Sequence, residues 1–158
     1  MSTRALILTL LLCLLPVGVA LAAGPAQTPD PAIADGSHQE RLDAARTTWK
    51  AARLRSYRYE VRELCFCPRE PGAEEDVVVI VRNASPRRFP KGLSSLATVP
   101  RLFRTIQKAI DAGVPKLEVS YGKRGVPRSI FVDRVAQAID DEVRYTSSRF
   151  AALRGGAR

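Results

Sequence analysis

The chain has 158 residues, with 25 Lys and Arg against 16 Asp and Glu, a formal charge of +9, and 46% hydrophobic side chains. That length fits one domain, and the composition excludes a collagen-like, low-complexity or wholly disordered chain. The apolar residues are unevenly spread, because the first 22 positions are mostly apolar.

Arg4 supplies a short positive segment, and Ala5 to Val19 is an apolar run broken only by Thr9, Pro16 and Gly18. Ala20-Leu21-Ala22 then makes an A-x-A cleavage site, so residues 1–22 are predicted to be a signal peptide and the protein to be exported, to the periplasm or the medium. The run is short for a membrane span and no second run of spanning length follows, so no transmembrane anchor is expected after cleavage. Cys13 lies between Leu12 and Leu14, without the small residues that precede a lipidated cysteine, and would leave with the leader. Cleavage would leave Cys65 and Cys67 as the only thiols, in a compartment where disulfides persist. Export also argues against nucleic acid as a partner, despite the basic excess.

Residues 23–36 contain Gly24, Pro25, Pro29, Pro31 and Gly36 and read as a flexible tether. Ser37 followed by Glu40 is a capping-box spacing and predicts a helix start, with Leu42, Ala45, Trp49 and Ala52 sharing one face. From Ser56 the period changes to two: Tyr57, Tyr59 and Val61 alternate with Arg58, Glu60 and Arg62, as on a half-buried strand that Pro68 would end. Arg69 to Asp76 reads as a loop into Val77 to Val81, whose apolar residues on both faces predict a central strand ending at Asn83-Ala84-Ser85-Pro86.

Arg87 to Ala97 reads as a basic loop, after which Thr98 is the N-cap of a helix whose stripe Val99, Leu102, Phe103, Ile106 and Ile110 stops at Gly113. Leu117, Val119 and Tyr121 alternate on the next strand, Gly122 to Gly125 is a turn, and Pro127 to Asp133 returns. A polar connection leads to a last strand marked by Val143 and Tyr145, with residues 151–158 expected to fray. The predicted class is α+β, in the order α-β-β-α-β-β-β, with two amphipathic helices on one face of a mostly antiparallel sheet of about five strands. The domain would span 37–150.

Tyr57-x-Tyr59, Cys65-Phe66-Cys67, the Val77 to Val81 strand, Thr98-Val99-x-x-Leu102-Phe103-x-x-Ile106 and Gly125-x-Pro127-x-x-Ile130-x-Val132-Asp133 occur in that order. Together they resemble an exported bacterial family catalogued as domain of unknown function 6174, from about Trp49 to Tyr145. The chain departs from that family's pattern at Gly122, where an Asp is usual, and at Val126, where an aromatic is usual. The resemblance implies an exported or lipid-anchored envelope protein and carries no activity with it.

Three readings of Cys65 and Cys67 stay open: a structural disulfide pinning the strand end, a labile redox pair, and a soft-metal site. For a metal, the single imidazole, His38, is distant in sequence, and the identity of any metal stays unassigned. Arg87, Arg88 and Lys91 are the candidate contacts for an anionic partner such as lipid head groups, a cell-wall polymer or an acidic protein. Asp133, Asp140, Asp141 and Glu142 form an acidic cluster, without calcium-loop spacing. Neither a G-x-S-x-G elbow nor a phosphate-binding or dinucleotide-binding loop occurs. The expected function is a non-enzymatic binding or structural module of the envelope, without a cofactor, whose partner is an envelope protein or an anionic polymer. The alternatives are a thiol-based metal or redox protein, or an inhibitor-like module.

Overall fold

Alternation of buried tyrosine and valine with exposed charge makes Tyr57–Cys65 (β1) a strand with one wet face. In the computed structural model, which describes residues 27–65, 76–87, 89 and 91–154, β1 lies at the middle of a six-stranded antiparallel sheet. The other strands are Asp76–Arg82 (β2), Ser85–Arg87 (β3), Lys116–Tyr121 (β4), Pro127–Asp133 (β5) and Val143–Ala152 (β6), in the order β3-β2-β1-β6-β5-β4. The helices are Pro31–Ala34 (α1), Ser37–Ala51 (α2) and Val99–Asp111 (α3), and a 3-10 segment Lys91–Leu96 leads into α3. The class and element order are those expected, with the short α1 and β3 added.

Both long helices lie on one side of the sheet. Leu42, Ala45 and Trp49 of α2 and Leu102, Phe103 and Ile106 of α3 share one core with Tyr59, Val61, Val79, Val81, Leu117 and Ile130. Each such aliphatic side chain contributes about 1.5–3 kcal/mol by leaving water. Trp49 meets Tyr57 edge-on with ring centroids 5.1 Å apart, and Tyr57 stacks on Phe150 at 5.6 Å. On the solvent side the helices are clasped by Gln107, which donates to Gln39 (2.7 Å) and accepts from Arg46 (2.8 Å).

The two tyrosines of β1 also fix where α3 begins. The Val99 N–H donates to the Tyr57 hydroxyl (3.2 Å), and the Tyr59 hydroxyl donates to the Leu96 carbonyl (2.5 Å). Thr98 is the N-cap, its hydroxyl accepting from the Arg101 N–H, and Gly113 takes positive φ at the helix end.

Several expectations are corrected. Val77 to Val81 is not a central strand: β2 is second from the edge, and its outward residues Val78 and Ile80 are 52% and 38% exposed. The strand does end before Asn83, as expected, but Asn83 and Ala84 adopt positive φ and turn the chain back into β3. The tether reading fails from Asp30 on: Asp30 caps α1, its N–H donates to Val114 and its carboxylate accepts from Leu117 N–H. The capping box does not form, since the Ser37 hydroxyl donates to the Ala32 carbonyl and Gly36, at φ 84°, is the N-cap. The basic loop starts on the last residue of β3 and contains the 3-10 segment, and residues 151 and 152 belong to β6 rather than to a frayed tail. The leader, Cys67, Pro68 and Arg88 lie outside the described residues.

The sheet edges are protected. At β4, Asp30 satisfies the Leu117 N–H and Arg41 donates to the Val119 carbonyl (2.8 Å), while β3 carries Pro86, which has no N–H to offer.

Candidate functional site

The α3 sequence sets up an electrostatic conflict. Its first turn contains no acid, and Arg101, Arg104 and Lys108 follow at spacings of three and four, so they share a face. Positive charge near a helix N-terminus opposes the dipole, and like charges at this spacing each cost a few tenths of a kcal/mol. Asp111, the helix's single acid, is engaged by Gln107 (2.9 Å).

That basic face borders a cleft. Its deeper part, about 480 Å³, lies between α3 and the ends of β5 and β6, where Thr105, Lys108, Arg134 and Tyr145 surround an apolar floor of Ala109, Val114 and Val132. A shallower continuation is lined by Ser94, Ser95, Arg101, Arg104, Thr105 and Lys108. The size is that of a small-ligand pocket, and among the described residues no carboxylate lines either part.

The walls are positioned by neighbouring bonds. Arg101 donates to the Ser94 carbonyl (2.7 Å), tying the 3-10 segment to α3, and the Thr105 hydroxyl donates to the Arg101 carbonyl. Arg134 donates to the Asp141 carbonyl (3.2 Å), while its own N–H donates to the Asp141 carboxylate (3.1 Å). Burial pushes the Tyr145 phenol above its ordinary pKa, Glu63 adds to that rise, and Arg134 opposes it. Arg104 and Lys108 are exposed, and neither forms an ion pair among the described residues. The cleft can therefore hold an anionic group by charge-assisted hydrogen bonds from Arg104, Lys108 and Arg134, with hydroxyls of Ser95, Thr105 and Tyr145 alongside.

The residues singled out from sequence lie elsewhere. Cys65 closes β1 opposite Val143 and is packed against the core. Arg87 is exposed on β3, and Lys91 opens the 3-10 segment. His38 is buried, with its Nε2 3.8 Å from Asp30 Oδ1, and does not line the cleft. Asp133 and Asp141 accept backbone N–H groups of Val135 and Arg134, as a turn requires. Among the described residues no group of three His, Cys, Asp or Glu is placed to hold a metal, and no helix is long and apolar enough to cross a membrane. The reading of sequence missed the cleft, although Arg101, Arg104 and Lys108 stand off the apolar stripe of α3 at helical spacing. Their convergence with Ser95 and Arg134 depends on tertiary packing.

A family model described as Family of unknown function (DUF6174) matches residues 41–152. No curated protein and no solved structure matches the chain.

Proposed function

We propose that this chain, which belongs to the family of unknown function DUF6174, is an exported binding module of the cell envelope that takes an anionic polymer in the α3 cleft. The observation that carries this reading is the convergence of Arg101, Arg104, Lys108 and Arg134 on a cleft that no carboxylate lines among the described residues. A bound phosphate or carboxylate would relieve the repulsion along α3, so the unfavourable charges of the free protein become favourable in the complex. The predicted leader over residues 1–22 supports the address. Ser94 and Ser95 face the cleft without an imidazole beside them, because His38 is held against Asp30, and this favours binding over acyl-transfer chemistry.

In this reading Cys65 and Cys67 form a disulfide that pins the end of β1. Cys65 sits at the last paired position of the strand, opposite Val143, and the proposed compartment is oxidising. Alkylation of the unreduced protein followed by mass spectrometry checks it: neither thiol should react before reductant is added, and alkylation of both would reject the bridge.

Titration of the purified protein with polyphosphate and with polyglutamate tests the cleft. Saturable binding that weakens with salt is expected, and Arg104→Ala/Lys108→Ala should weaken it about tenfold or more while leaving the melting temperature near its original value. Equal affinity in the wild type and the double variant would reject the reading.

A further inference from the structure

The open face of the sheet carries a second, separate arrangement. Along β1, β2 and β3 the register places Arg58 directly opposite Ile80, and Ile80 directly opposite Arg87. An isoleucine thus stands between two arginines in one row, with neighbouring strands about 4.8 Å apart. Val78, two residues along β2, lies on the same face beside it, and Arg82 lies beyond Ile80 on the other side. Val78, Ile80, Pro86 and Arg87 line one shallow groove.

Among the described residues the charges on this face are not balanced. Its carboxylates are engaged: Asp76 accepts two bonds from Arg62, at 2.8 and 2.6 Å, and Glu60 pairs with Arg149 at 3.0 Å. Among the described residues Arg58, Arg82 and Arg87 form no ion pair, and all three are exposed. Ile80 between Arg58 and Arg87, with Val78 beside it opposite Glu60, joins exposed aliphatic groups to arginines that form no ion pair among the described residues. This is the surface chemistry of a protein that rests on anionic lipid, the arginines meeting phosphates and the aliphatic groups meeting the acyl boundary.

We propose that the uncovered face of β1, β2 and β3 docks on an anionic lipid surface through Val78, Ile80, Arg58, Arg82 and Arg87. A lipid leaflet fits better than an acidic protein strand, because Pro86 blunts the β3 edge against strand addition. Lipid phosphates are also mobile and can meet arginines at whatever spacing the sheet imposes. None of these five residues lines the α3 cleft, so the two sites succeed or fail independently.

Flotation of the purified protein with vesicles of phosphatidylglycerol and phosphatidylethanolamine, against vesicles of phosphatidylcholine alone, tests this. The protein should float with the anionic vesicles only, and less as salt is raised. Arg58→Gln/Arg87→Gln should lower that partition about tenfold or more, and Val78→Ser/Ile80→Ser should also lower it, while polyphosphate binding in the cleft stays unchanged. Equal flotation of the wild type and both variants would overturn the proposal. So would complete competition by free glycerol phosphate, which would mark an ionic site without a lipid contact, or binding of polyglutamate by this face with no flotation at all.

Discussion

Gly125 shows how one position can decide the packing of a turn against a helix. It has φ 72°, and a Cβ there would fall 2.1 Å from the Ala45 carbonyl oxygen of α2, which is backbone and cannot swing away. Gly125→Ala is expected to cost about 3 kcal/mol or more in urea unfolding, combining left-handed strain with overpacking. Gly122→Ala should cost less than about 1 kcal/mol, since the new atom meets only the flexible Arg128 side chain. The turn itself is legible in sequence, but the close approach to α2 is not, because Ala45 is 80 positions away in the chain. Buried phenols give a second test at this scale. Tyr59→Phe leaves the Leu96 carbonyl without its donor, and a loss of about 1–3 kcal/mol is expected. Burial also pushes Tyr57 and Tyr59 above their ordinary pKa, and Tyr121 up to about 12. These phenols stay neutral in the fold at a pH where the unfolded chain already ionises. Their contribution is complete below about pH 10 and is lost as the pH rises through their folded values, and Tyr121→Phe should flatten that decline.

Among the elements, β2 separates what periodicity can and cannot tell. Five consecutive aliphatic residues predict a strand buried on both sides, yet only Val77, Val79 and Val81 face the core. Among the described residues the outward pair has no layer above it, and periodicity cannot show whether a second layer covers a strand. Chemical denaturation should resolve the difference: Val79→Ala is expected to cost about 2 kcal/mol, and Val78→Thr to stay within about 0.5 kcal/mol of wild type. Comparable losses at both positions would mean that Val78 is covered. Helix α3 was the most legible element, because its stripe, its Thr98 cap and its Gly113 stop all agree. The three-residue β3 was not, since Pro86 reads as a terminator unless the turn at Asn83 and Ala84 is known to place it on an edge. Asp30 was unreadable for a similar reason: its partners are the backbone groups of Val114 and Leu117, far along the chain.

The described residues form a two-layer α+β domain with helices on one face of the sheet and an open face on the other, and the chain carries excess positive charge. Its surface carboxylates are tuned by local donors. Asp35 is lowered by the Ser37 backbone N–H, Asp43 by Gln39, Asp76 by Arg62 and Glu118 by Lys116. Lowered folded values stabilise above the ordinary carboxylate range, and that contribution is lost as the pH falls through about 4 and below. Thermal melts across this range should show the loss, with high salt blunting its ion-pair share. The class and helix order were legible because local periodicity specifies them, whereas the cleft depends on α3, Ser95 and Arg134 being brought together by the sheet. The most direct test of the cleft as the functional site is backbone NMR during titration with polyphosphate. The largest shifts are expected at Ser95, Arg104, Thr105, Lys108 and Tyr145, with saturation. Shifts spread over the surface without saturation, or absent from these residues, would contradict the account.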